Sequence, residues 1–410
     1  MRHRFSRTAL ALVASLALAC GGTASPDAGL ADAGILDAGT DAGPPVDPSA
    51  WTETGALQVA RAHATATRLD DGRVIVVGGH DAALTMLDSV EIYDPSDGAF
   101  HPAARLPEPR AYHSATLLAD GRLLVVGGGP GSAISIPTGE APMASALLYD
   151  PALDTWTETG SLHEARAGHG AVGLPDGRVL VAGGGAGVGY PCASSHPDCT
   201  VATSLASAEL YDLVAGAWTI APPMTQARLA FTLTVLSTGR VIAAGGAAEN
   251  RGLASAEIFD PASGAWTATE GMGTARLYHA ASLLPDGTLL VVGGKIANVA
   301  PIGEATRFDE SQGTWTPTEA LSPPRTGAAL VTLASGRALL VGGNDQLGVA
   351  HLPDALLFDP AVGAWQPIGA LTFGRYGHTA TVLADGSVLV VGGVGAAGVL
   401  ASAERTTPSP

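Results

Sequence analysis

Arg61, Arg110, Arg166, Arg228, Arg276, Arg325 and Arg375 occupy one position of a repeating segment. A guanidinium is a planar fork of donors that matches carboxylate or phosphate, so seven of them around a ring could form an anion-binding face. A structural use is the favoured reading, because a strictly recurrent position supplies what every blade needs. Glu91, Glu209, Glu257 and Glu404 recur later in four segments, where Leu147, Thr306 and Leu356 stand in the other three. Ion pairing can therefore engage at most four arginines, leaving carbonyls and turn groups for the rest. Imidazoles follow the same register: His113, His169, His279 and His378 come three residues after Arg, and His63 two after. Such a set raises a metal site. Equivalent positions in a wide ring stand too far apart to share one ion unless they line its axis, so wall packing and hydrogen bonding are expected.

Three cysteines remain to be placed. Cys20 ends the run Leu16-Ala17-Leu18-Ala19-Cys20, which follows Arg2, Arg4, Arg7 and a short apolar stretch. That order is a signal peptide over residues 1–20. The small residue before the cysteine resembles a bacterial lipobox, which implies cleavage and a lipid anchor on Cys20. The expected localisation is an exported lipoprotein at the outer membrane or cell surface, or a soluble secreted chain if Cys20 is not acylated. Cys192 and Cys199 lie in one loop, and an exported chain permits their disulfide; His196 between them keeps a metal set as the alternative.

The elements that position these residues are legible from the repeat. Gly-Gly pairs stand at 78–79, 127–128, 183–184, 245–246, 293–294, 342–343 and 392–393, spaced by 49, 56, 62, 48, 49 and 50 residues. A period near fifty with several short strands per unit marks propeller blades. Asp-Gly at Asp71, Asp120, Asp176, Asp286 and Asp385 predicts two-residue hairpin turns with positive φ. Runs such as Leu123–Val126 and Val388–Val391 are apolar on successive residues, as in strands covered on both faces. Each Gly-Gly pair then admits a close neighbour. Asp94-Pro95 and its equivalents turn the chain into a strand carrying Trp51, Phe100, Trp156, Trp218, Trp266, Trp315 or Trp365.

The ordered Gly-Gly, aromatic-Asp and Trp elements resemble the kelch repeat across residues 51–406. The fold expected is all-β: a seven-bladed kelch-type propeller with four-stranded blades over residues 50–406, followed by a tail at 407–410. Trp51 has no strands before it and the last segment lacks a Trp, so the N-terminal strand should close the last blade. Residues 21–49, with four Asp-Ala-Gly units, read as a disordered acidic tether.

With 54 Gly, 14% charged residues and a net charge of −17, the chain does not suit nucleic acid. A monomeric propeller binding a protein, peptide or glycan is the first functional expectation. The ligand face is expected on the loops between second and third strands and the links into each first strand. The long loops Gly129–Ser145, Gly185–Ser207 and Asn344–Ala355 mark it, and its candidate residues are the seven arginines with Tyr112, Tyr190, Tyr278 and Tyr376. No cofactor is required by that reading. The alternative is copper: Tyr112-His113 and Tyr278-His279, with His378, resemble the Tyr-His segment of galactose oxidase-type enzymes, which oxidise alcohols or sugars. That resemblance lacks a cysteine in the context of the thioether-forming one. Nucleophile elbow, Walker loop, HExxH and dinucleotide fingerprints are absent from the sequence.

Overall fold

The computed structural model describes residues 48–129, 135–137, 141–191, 199–249, 251–296, 300–345 and 351–408, and every regular element among them is a β-strand. The leader, Cys20, most of the tether, Cys192 and His196 lie outside the described residues.

Seven four-stranded antiparallel sheets account for the repeat. The fourth is typical, running as a meander through Thr232–Val235, Val241–Ala244, Ala256–Asp260 and Ala265–Ala268. First strands of neighbouring sheets lie against one another and form the wall of a central channel. Second strands are buried along their whole length in every blade, as their unbroken apolar runs require. Apolar clusters fill the spaces between consecutive sheets.

The ring closes through the N-terminus. Pro48–Glu53 pairs antiparallel with Ala403–Pro408 as the outer strand of blade 7. The paired strands extend two residues beyond 50 and 406 at each end, because Ala50 pairs with Thr407 and Pro48 with Pro408. Outer aromatics tie blades together: Trp156, Trp218 and Trp266 donate Nε1–H to carbonyls of Ala104, Gly160 and Pro222 at 2.8, 2.7 and 3.0 Å, each in the preceding blade.

One local expectation is corrected. The Asp-Gly hairpins are one residue longer than a two-residue turn. Leu69 N–H bonds Arg73 O at 2.8 Å and Gly72 N–H bonds Leu69 O at 2.9 Å. Only Gly72 takes positive φ, at 88°. This is a type I turn followed by a glycine bulge.

Candidate functional site

The seven arginines do not form a face. Each side chain is 0–1% exposed and folds back under its Gly-Gly pair. Arg228 donates from Nη1 to Gly245 O at 2.9 Å and Ser255 O at 3.2 Å. Where the sequence supplies Glu, an ion pair forms: Arg61–Glu91 at 2.6 Å, Arg166–Glu209 at 3.1 Å, Arg228–Glu257 at 2.7 Å and Arg375–Glu404 at 2.7 Å. Burial pushes the Glu257 carboxyl up, but Thr225 N–H and the Arg228 guanidinium outweigh it and hold the group below its ordinary range. Arg110 and Arg276 lack a glutamate at this position, and burial pulls them down to about 10. Because all seven side chains are buried and each Nη1 is held by the carbonyl of the first glycine of a Gly-Gly pair, anion capture by the seven arginines does not fit this placement.

Imidazoles three residues after Arg are wall elements. His113 Nε2 shares a hydrogen bond with Thr65 Oγ1 at 3.0 Å, His169 Nε2 with Ser114 Oγ at 2.8 Å, and His279 Nε2 with Thr232 Oγ1 at 3.0 Å. Each bond joins one blade to its predecessor. In blade 4 the pair is replaced by Phe231 over Gly170, where an added Cβ would lie 3.2 Å from the ring. His378 faces the position of Ala329, which offers no hydroxyl, and both its ring nitrogens are without a hydrogen-bond partner among the described residues. Burial lowers His113, His169, His279 and His378 to about 3.

A pH dependence follows. The folded chain keeps these rings neutral, whereas the unfolded chain protonates them near pH ~6.5. Their contribution is complete above that value and is lost as pH falls toward ~3, at up to about 1.4 kcal/mol per pH unit for each ring. Melting temperature should therefore drop between about pH 7 and about pH 4.5. His378→Phe should lessen that drop while leaving neutral stability unchanged or higher; an unaltered acid slope would contradict the assignment.

The imidazoles of the two Tyr-His segments do not converge. His113 is sunk into the junction with blade 1 and His279 into the junction with blade 4, so their nitrogens address different places. Among the described residues, no three His, Cys, Asp or Glu side chains are grouped as a metal ion would need.

Repetition fails instead at one mouth of the channel. The residues two after each Arg are His63, Tyr112, Gly168, Ala230, Tyr278, Gly327 and Gly377, all at φ between 51° and 66°. Backbone bonds run between them from blade to blade, including His63 N–H to Gly377 O at 3.0 Å and Tyr278 N–H to Ala230 O at 3.1 Å. They circle the axis. Beside them sit the residues after Gly-Gly: His80, Gly129, Gly185, Ala247, Lys295, Asn344 and Val394, each bridged to the residue following Arg.

Side chains at this mouth differ by blade. His63 stacks between His80 and Tyr112, with centroids 5.1 and 4.9 Å apart. Lys295 Nζ lies 5.1 Å from the Tyr278 ring centre, and His351 stacks on Tyr376 at 5.2 Å. Tyr112, Tyr278 and Tyr376 thus share the mouth, although each is nearly buried. Sequence reasoning missed His80, Lys295, Asn344 and His351; for the first three the signal was available as the variable residue after a recurrent Gly-Gly, and His351 carried none.

The long loops of blades 2 and 3 meet above this mouth. Ser135–Pro137, Cys199–Ser204 and Gly185–Pro191 form a three-stranded antiparallel sheet with Cys199–Ser204 in the middle. Gly185, the mouth residue of blade 3, also begins this crest. Tyr190 lies in its strand opposite Val201. Ser204 Oγ donates to Ala247 O at 3.4 Å, tying the crest to blade 4.

The Kelch motif family model matches residues 61–107, which cover the first blade. Among solved structures, a fungal alcohol oxidase of the AA5 family in complex with copper is similar, with a TM-score of 0.65 and 18% identity over 88% of this chain and 76% of that one. In all, 1002 solved chains match, so the likeness identifies a fold that hosts many functions. A search of curated proteins gave no match.

Proposed function

This chain is a kelch-type seven-bladed propeller, and from that premise we propose that it is a non-catalytic binding scaffold whose ligand face combines the channel mouth with the crest. The observation that carries this reading is the joining of two blades' loops into one sheet beside a ring of mouth positions where side chains change from blade to blade. The crest's outer strands offer backbone edges to an extended peptide, and the mouth offers aromatic faces to a peptide side chain or a glycan. The signal peptide, the lipid on Cys20 and the tether of residues 21–49 would display that face at the bacterial envelope. The Cys192–Cys199 disulfide belongs to the same proposal; it is supported by the register Pro191 opposite Thr200, which ends one residue short of Cys192.

Copper-dependent oxidation of alcohols or sugars is the second reading, favoured by the AA5 likeness. The dispersal of His113 and His279 weighs against it.

Screening the purified chain against immobilised peptides and glycans tests the scaffold. Replacing residues 186–203 by a short glycine linker should abolish every specific hit while leaving the melting temperature within a few degrees. Hits that persist at full affinity would remove the crest from the ligand face. Stoichiometric copper with alcohol-dependent peroxide release would replace the scaffold reading by the oxidase.

A further inference from the structure

The outer strand of blade 7 is held differently from its equivalents. In blades 1 to 6 the fourth strand follows the third through a short turn, as where Gly98 N–H bonds Asp94 O at 2.9 Å. No such turn exists in blade 7, because Pro48–Glu53 comes from the other end of the sequence and meets Ala403–Pro408 only by pairing. Ala50 stands opposite Thr407, Trp51 opposite Thr406 and Glu53 opposite Glu404, with a register irregularity between Pro48 and Ala50.

The bond that latches outer aromatics to the preceding blade is also missing here. Trp156, Trp218, Trp266 and Trp365 donate Nε1–H to carbonyls of Ala104, Gly160, Pro222 and Glu319 at 2.8, 2.7, 3.0 and 3.1 Å. Trp315 reaches Thr269 Oγ1 at 3.5 Å. Each carbonyl acceptor lies four residues after the aromatic of its own blade. For Trp51 that position is Gly369, four after Trp365. The strand pair of blade 6 shifts register between Asp354 and Leu356, and Gly369 takes φ 116°. A Cβ added to Gly369 would lie 3.7 Å from Trp51 Cδ1, so the two residues are neighbours, yet Trp51 Nε1 is buried with no hydrogen-bond partner among the described residues.

The residue after this strand is fixed to blade 1 instead. Thr54 Oγ1 lies 2.9 Å from Tyr93 Oη and donates to Gly98 O at 3.1 Å, and Gly55 N–H donates to the same carbonyl at 2.8 Å. Release can therefore stop at Thr54, with residues 48–53 swinging out while the link into blade 1 stays in place. Segments held by few bonds open locally below the free energy of global unfolding.

We propose that Pro48–Glu53 is an exchangeable strand, and that the Ala403–Pro408 edge of one copy takes the same strand from a second copy, giving a strand-swapped dimer when the chains are crowded. A vacated edge presents unpaired N–H and C=O groups to any incoming strand. The second copy's residues 48–53 fit it by construction, since register and the seat of Trp51 are those of the closed monomer. Every pairing lost in one copy is regained in the dimer, so concentration decides between the two forms. The exchange is independent of the crest and of its ligand.

Two purified single variants, Ala50→Cys and Thr407→Cys, test this when mixed at high concentration under mild oxidation. Peptide mass mapping is expected to find an interchain 50–407 disulfide in excess of 50–50 and 407–407 links, and to lose it on dilution. The double variant Ala50→Cys/Thr407→Cys should instead close within one chain and, once closed, form no dimer in size-exclusion chromatography with light scattering. In the concentrated native chain the same chromatography should show a dimer that dissociates on dilution. Absence of both the 50–407 link and that dimer, or a dimer that persists in the closed double variant, overturns the proposal.

Discussion

Replacing Arg228 by Met is expected to destabilise the propeller by about 3–5 kcal/mol, because it leaves a buried charge without its partner. Glu257 is 1% exposed, and after the substitution it keeps only Thr225 N–H at 2.6 Å, Thr225 Oγ1–H at 2.8 Å and Gln226 N–H at 3.2 Å. The Gly245 carbonyl also loses its donor, and Ser255 O is left with Gly245 N–H alone. Arg276→Met is the informative comparison. Arg276 donates to Gly293 O at 3.1 Å and Glu304 O at 2.8 Å, and Thr306 stands where the glutamate would be. Its loss strands the Gly293 carbonyl but no carboxylate, since Glu304 O keeps Gly293 N–H, so about 1–3 kcal/mol is expected. Arg228→Lys should not rescue, since a single ammonium cannot reproduce the fork. Urea unfolding midpoints at constant slope measure all three. Equal losses for Arg228→Met and Arg276→Met would show that the ion pair adds nothing to the carbonyl bonds.

Removing residues 48–53 should have the larger effect on the state of the molecule. The deletion unpairs Ala403–Pro408 and exposes it as a free edge. It also withdraws Trp51 from the cluster of Leu339, Leu357 and Val390 between blades 6 and 7. Both losses fall on the one blade assembled from the two ends of the chain. The truncated protein is expected to leave the monomer peak for oligomers and aggregates in size-exclusion chromatography with light scattering, and a peptide spanning residues 48–53 should partly restore the monomer. A monomeric truncation with the native melting temperature would mean that the ring does not depend on this closure.

These two effects mark the part of the molecule that was legible in sequence. Blade number, strand order, closure through Trp51 and the four Arg–Glu pairs follow from residue types recurring at fixed spacing, and a repeated requirement is what a repeat displays. The hairpin turn was misjudged because Asp-Gly serves both two- and three-residue loops, and only the bonds around Leu69 and Gly72 distinguish them. The arginines were offered as a face because seven guanidinium forks near one mouth could hold anions, with a structural role on carbonyls as the favoured reading; the particular carbonyls, from the Gly-Gly bends and the residues entering the third strands, are brought back only on folding. The mouth was half legible. Tyr112, Tyr278 and Tyr376 were visible as aromatics near Arg, but His80, Lys295 and Asn344 gain meaning only when the Gly-Gly bend sets them beside those rings. The crest was harder still, since Ser135–Pro137 and Cys199–Ser204 lie in different blades and carry no repeat to align them.

In the proposed division of labour, recurrent residues build the ring and non-recurrent ones on the Gly-Gly side bind. Hydrogen exchange of the full chain with and without a ligand retrieved from the peptide and glycan panel tests that division most directly. Protection is predicted at residues 185–191 and 199–204 and around His63, His80 and Tyr376, with none at the hairpins carrying Asp71, Asp176 and Asp385 on the opposite side. Protection concentrated at those hairpins, with the crest unchanged, would contradict it.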